Sequence, residues 1–160
     1  MRIAVIFASK HGTTEKVADS IAEKLRGEHE VELFSLKKNS NPDIGDFGMV
    51  ILGSPIYAGQ SSGKMQTFCK KNESVLLQKK TGLFVCGMEP NQAKQEQELK
   101  ETYPEILQEK AVATGFLGGS FLFEKMNFIE RTLIKKIANT NKSVHRIDWD
   151  AIDAFVKKLQ

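Results

Sequence analysis

The chain has 160 residues, 41% hydrophobic and 27% charged, with a formal net charge of +3. That is an ordinary soluble mixture, long enough for one domain with a core that needs no disulfide or metal staple. The mild positive charge is not the footprint of a nucleic-acid binder. The apolar run at 3–8 is far too short to span a bilayer or act as a secretory leader. Cys69 and Cys86 form no C-x-x-C pair and no zinc pattern with the three histidines. They are expected to be reduced thiols in a cytoplasmic protein.

Residues Ile3 to Ala8 are nearly all apolar and rich in β-branched side chains, the pattern of a central parallel strand covered on both faces. Ser9-Lys10-His11-Gly12-Thr13-Thr14 breaks the run. Val17, Ile21 and Leu25 then recur every four residues beside Ala18 and Ala22, which predicts a helix closed by Gly27. Val31 to Phe34 reads as a second strand, followed by a polar loop. Met49 to Leu52 reads as a third strand, ending in the loop Gly53-Ser54-Pro55-Ile56-Tyr57-Ala58-Gly59. A helix is predicted over 64–74, a fourth strand over 81–86, and a polar helix over 92–107 interrupted before Pro104. Residues 111–121 hold a fifth strand, punctuated by Gly115, Gly118 and Gly119. A helix is predicted at about 127–138. The last helix is capped by Asp148, carries Ile152, Phe155, Val156 and Leu159 on one face, and uses Trp149 as its core anchor.

Strands alternating with helices predict an α/β fold in three layers, a parallel sheet with helices on both faces. Right-handed crossovers leave few topologies, and five strands fit the order 2-1-3-4-5 in a single domain over 1–160. The ligand crevice then lies at the carboxyl ends of strands one and three. Charge is unevenly placed along the chain. Positions 64–80 carry five lysines against one glutamate, and positions 89–109 carry six glutamates against two lysines. Solvated helix faces explain this, as does a pair of oppositely charged sides that orient a partner.

The first loop supplies three hydroxyls, a glycine and the free N–H groups of a helix N-terminus, an anion site without an obligatory cation. Thr13 or Thr14 would also serve as an ordinary helix cap. No G-x-G-x-x-G or P-loop pattern is present. Ser9, Lys10, His11, Gly12, Thr13 and Thr14 together resemble the flavodoxin loop that holds the FMN phosphate. Ser54, Pro55, Ile56, Tyr57, Ala58 and Gly59 resemble the superfamily's second flavin loop, and Cys86, Gly87 and Met88 stand where its third would be. The resemblance covers the whole chain and implies a flavodoxin-like fold binding FMN. At the C-terminal end, Gly118-Gly119-Ser120, residues 126–137 and Asp148-Trp149 are similar to the subfamily that includes menaquinone-dependent protoporphyrinogen dehydrogenase.

A flavin performs redox chemistry itself, and the protein sets binding, orientation and potential. The resemblance implies that Tyr57 stacks on the ring and that backbone N–H groups of Tyr57 and Gly87 meet its pyrimidine edge. Met88 either covers the other ring face or leaves it open to a substrate or partner. No catalytic acid or base is assigned. The expected function is electron transfer through FMN, as a quinone-linked protoporphyrinogen-type dehydrogenase or, alternatively, as a non-catalytic carrier for a protein partner. A third reading is a scaffold of this shape without flavin. Expected partners are a redox protein or a quinone or porphyrinogen substrate, and not nucleic acid. The apolar and basic residues at 127–137 also suggest weak contact with the inner membrane surface.

Overall fold

The computed structural model describes residues 1–121, 128, 129, 132 and 144–160. In chain order the elements are β1 (Arg2–Phe7), α1 (Thr13–Leu25), β2 (Glu30–Ser35), β3 (Met49–Tyr57), β4 (Gln60–Ser61), α2 (Gly63–Leu76) and β5 (Lys80–Cys86). There follow α3 (Gln92–Thr102), α4 (Glu105–Lys110), β6 (Ala113–Phe116), β7 (Gly118–Phe121), β8 (Val144–Ile147) and α5 (Trp149–Leu159). The main sheet runs β2-β1-β3-β5-β6, all parallel, which is the expected order once the short β4 is counted separately.

Period-2 alternation assigns the two faces of this sheet. Ile3, Val5 and Phe7 of β1 join Met49, Ile51, Phe84 and Cys86 against α1 and α5. Ala4 and Ile6 join Val50, Leu52, Leu83 and Val85 against α2 and α4. Both faces are therefore dry, which is why these strands read as unbroken apolar runs.

Several boundaries differ from the sequence reading. The stretch from Gly53 read as a loop is strand as far as Tyr57. β1 pairs with β3 only as far as Gly53, whereas β5 continues to Pro55 opposite Cys86. Pro55 therefore sits where no β1 partner needs its missing N–H. The polar helix divides into α3 and α4, with Tyr103 and Pro104 at the break.

The expected fifth strand also divides. β6 stays in the main sheet, while β7 pairs antiparallel with β8, a strand the sequence did not announce. Gly118 has φ 76, and its carbonyl accepts the Gly87 N–H at 2.9 Å. A Cβ on Gly119 would stand 2.8 Å from the Gly87 carbonyl oxygen, so glycine is required for this hairpin to lie on the loop after β5.

Asp148 caps α5 as expected, its carboxylate accepting the Ala151 N–H at 2.9 Å. Trp149 is not the core anchor: it is 47% exposed, with Lys16 Nζ 5.9 Å from its ring centroid. Its spacing matches the buried stripe, but it stands at the first position of the helix beside α1. The expected helix at 127–138 lies mostly outside the described residues. Phe128, Ile129 and Thr132 are helical, and Phe128 and Ile129 are exposed.

Candidate functional site

After β1 the chain crosses to α1 on one face of the sheet, and after β3 to α2 on the other. The carboxyl ends of β1 and β3 thus flank a topological switch point, where open α/β sheets bind ligands. The Ala8 N–H donates to the Gly53 carbonyl at 3.0 Å and ties the two ends together.

The first loop is shaped by Gly12, whose φ of 91 lies in the region open to glycine. Its N–H donates to Ser9 Oγ at 3.0 Å, and its carbonyl accepts the Lys16 N–H to begin α1. The cap position is therefore Gly12, not Thr13 or Thr14, and it brings no side chain to cap the helix. The positive end of the α1 dipole thus lies just after β1, at the switch point, and its cap residue brings no side-chain oxygen of its own. Thr14 is 1% exposed, and its hydroxyl has no hydrogen-bond partner of ordinary geometry. It stands near enough to the Cys86 thiol to oppose that group's rise in pKa.

Tyr57 and Gln60 form the last pair of the β3–β4 hairpin, joined by Ala58 at φ 51 and Gly59 at φ 76. Two left-handed residues give the turn that suits strand twist. Ala58 is the one non-glycine residue with positive φ among those described, a strain of about 1–2 kcal/mol. The Tyr57 ring lies against the first loop, its centroid 5.9 Å from that of His11 and 4.9 Å from Lys10 Nζ. Ser54 is fully buried and works inside the fold, accepting the Ser62 N–H at 3.2 Å.

In the third loop the Gly87 N–H is committed to Gly118, so it is not the free donor to a flavin edge that the sequence suggested. Burial pushes the Cys86 thiol up to about 12, which keeps it protonated and a poor nucleophile near neutral pH. Tyr103, which sequence reasoning missed, is 3% exposed with its hydroxyl 2.6 Å from the Phe84 carbonyl and 3.0 Å from that of Leu52. It braces β3 to β5 directly beneath the cleft. Its only signal was an aromatic at a helix break.

Twelve residues singled out from the sequence line one cavity of about 60 Å³: Ser9, Lys10, His11, Thr13 and Thr14, then Pro55, Ile56, Tyr57 and Ala58, then Cys86, Gly87 and Met88. Gly12, Ser54 and Gly59 do not line it, and Gly119 joins it unannounced. At about 10–15 Å³ per water-sized atom, this space suits a phosphate group. A second cavity, of about 520 Å³, adjoins it across Tyr57 on the α2 side. The uncapped α1 N-terminus and the buried Thr14 hydroxyl fit a phosphate monoester, and the walls at Pro55–Ala58 and Cys86–Met88 fit a flat apolar ring at the mouth. Among the described residues, no cluster of His, Cys, Asp and Glu is suited to a metal ion, and no helix is long and apolar enough to cross a membrane.

The sequence matches the family described as "Flavodoxin domain" over residues 4–148. Among solved structures, oxidised flavodoxin 1 from Bacillus cereus is 27% identical, with 74% of this chain and 82% of that chain covered and a TM-score of 0.55. A flavodoxin of Streptococcus pneumonia TIGR4 shares the fold at 17% identity, with 99% and 97% covered and a TM-score of 0.60. A Fusobacterium nucleatum flavodoxin bound to flavin mononucleotide shares it at 18% identity, with 99% and 96% covered and a TM-score of 0.54. No curated protein matches the sequence.

Proposed function

Because this chain belongs to the flavodoxin-domain family, we propose that it binds one FMN noncovalently at the switch-point cleft and transfers electrons through it. The observation that carries this reading is the uncapped start of α1 beside the buried Thr14 hydroxyl, at the place where flavodoxins exemplify ligand binding by this topology. Neutral donors there hold a phosphate in one orientation, through the first-turn N–H groups and the hydroxyls of Ser9, Thr13 and Thr14. Pro55 to Ala58 and Cys86 to Met88 form the walls for the ring. When bound, the flavin supplies the one- and two-electron chemistry. The chain's part is to hold the phosphate, confine the ring and limit water around it.

The more specific reading is a quinone-linked dehydrogenase of the protoporphyrinogen type. Its support is the β7–β8 hairpin: Gly118, Gly119 and Asp148, part of the subfamily likeness, lie at or beside the hairpin that rests on Gly87. The net charge of +3 also sits poorly with a low-potential shuttle, which gains from negative charge around its reduced flavin. The other reading is a carrier for a redox protein. It is favoured by the cleft lining, which holds no carboxylate among the described residues and so offers no carboxyl group for proton transfer.

The test is an absorbance and fluorescence titration with FMN, followed by turnover assays with a quinone and a porphyrinogen. Quenched flavin fluorescence at one equivalent is the expected result. A protein that leaves FMN fluorescence untouched overturns the reading. Flavin binding without turnover, but with rapid electron exchange with a redox protein, selects the carrier.

A further inference from the structure

We propose that the larger cavity, on the α2 side of Tyr57, is a second anion site. It takes the carboxylate or phosphate groups of a small molecule that exchanges electrons at the cleft. Its role in electron exchange rests on the flavin reading above, whereas the binding itself does not.

Three lysines from three different parts of the chain line this cavity: Lys10 from the first loop, Lys37 after β2 and Lys64 in the first turn of α2. No acidic residue lines it. Lys37 and Lys64 have no carboxylate partner among the described residues. The 14-residue α2 begins here with Ser62 at the cap position, no side-chain cap and no acidic residue in its first turn, so its dipole adds to the lysines unopposed. At about 520 Å³ the cavity lies within the usual range for small-molecule sites, about 300–1,000 Å³. A concave site of that volume suits a compact ligand better than a flat acidic protein surface.

The sign of the charge is local. On the other flank of the β3–β4 hairpin, a cavity of about 130 Å³ is lined by Glu98 and Glu101. Gln60 and Ser61 border both cavities, so this hairpin divides a cationic side from an anionic one. A polyanion approaching the cleft is drawn to the lysine side and repelled from the other.

The test is a calorimetric titration of the FMN-loaded protein with citrate and, separately, with pyrophosphate, so that the first loop is already filled. One saturable site is expected. Lys37→Glu with Lys64→Glu should weaken it by at least about tenfold, the scale of losing charge-assisted bonds, and leave FMN affinity unchanged. Preference for citrate or for pyrophosphate assigns the group as carboxylate or phosphate. Equal affinity in the variant, absence of saturable binding, or tighter binding of a polyglutamate peptide than of citrate overturns the proposal. If the protein takes up no FMN, the same titration is made on the flavin-free Thr14→Val protein, whose altered residue lines the first cavity and not the second. Lysine-dependent binding there sustains this site although the flavin reading fails, and its loss overturns both.

Discussion

Tyr57 stands between two cavities that would hold negative charge by different means. On one side the donors are mainly neutral: backbone N–H groups at the start of α1 and the hydroxyls of Ser9, Thr13 and Thr14, fixed by strand, glycine turn and helix, with Lys10 the one lysine that lines both cavities. On the other side the donors are lysines, two of them exposed side chains after β2 and in the first turn of α2. Fixed dipoles select orientation and shape, and their contribution is little altered by salt. Flexible ammonium groups attract over a longer range, tolerate many geometries and are screened. One cavity is thus suited to a resident group and the other to a transient one.

The largest effect that would break this contrast is on the neutral side. Ser9→Ala with Thr14→Val should lose about 1.5–3 kcal/mol per bond to the phosphate. That corresponds to FMN binding about two to four orders of magnitude weaker in a fluorescence titration. Unchanged affinity would remove the first cavity as a phosphate site. Next in size is Tyr103→Phe, which deletes the brace between β3 and β5 and should cost about 1–2 kcal/mol in urea unfolding. If FMN binding weakens with it, the rigidity assigned to the neutral side has a definite source.

Salt sharpens the contrast further. Between low and near-molar sodium chloride, citrate affinity at the lysine cavity should fall several-fold more than FMN affinity, and parallel losses would mean that the two sites work alike. Tyr57→Ala should change bound-flavin fluorescence or potential; if neither moves, Tyr57 does not contact the ring.

The smallest effect at neutral pH concerns the thiols. Burial raises both Cys69 and Cys86 from 9.0 to about 12. The folded state therefore holds protons that the unfolded chain releases, and stability is intact below pH 9 and lost as pH climbs toward 12. Replacing both cysteines with alanine should flatten the fall in Tm across that window.

The sheet was legible because burial on both faces writes each central strand as an apolar run. The first loop stood out because hydroxyls and a glycine follow such a run, and five of its six residues line the cavity at the switch point. Legibility failed where one residue type serves two geometries. Gly53, Ser54 and Pro55 read as loop, yet Gly53 still pairs with Phe7 of β1, and Ser54 and Pro55 continue β3 beyond that pairing. Trp149 has the spacing of the buried stripe, yet it lies half exposed at the helix start. The partners of Tyr103 and Gly87 are 19 to 51 residues away for the first and at Gly118 for the second, and no local pattern encodes either. The lysine cavity was visible only as an excess of charge, because Lys10, Lys37 and Lys64 converge through the crossovers of the sheet.

The register of the β7–β8 hairpin has a practical corollary. Phe121 and Val144 are paired directly across it, so the chain departs from the domain and returns to it at adjacent points. Splicing Phe121 to Val144 through a two-residue Asn-Gly turn should give a shorter chain with the same sheet and the same first loop. If the shortened chain still takes up FMN, any activity it loses belongs to the excised residues rather than to the first loop.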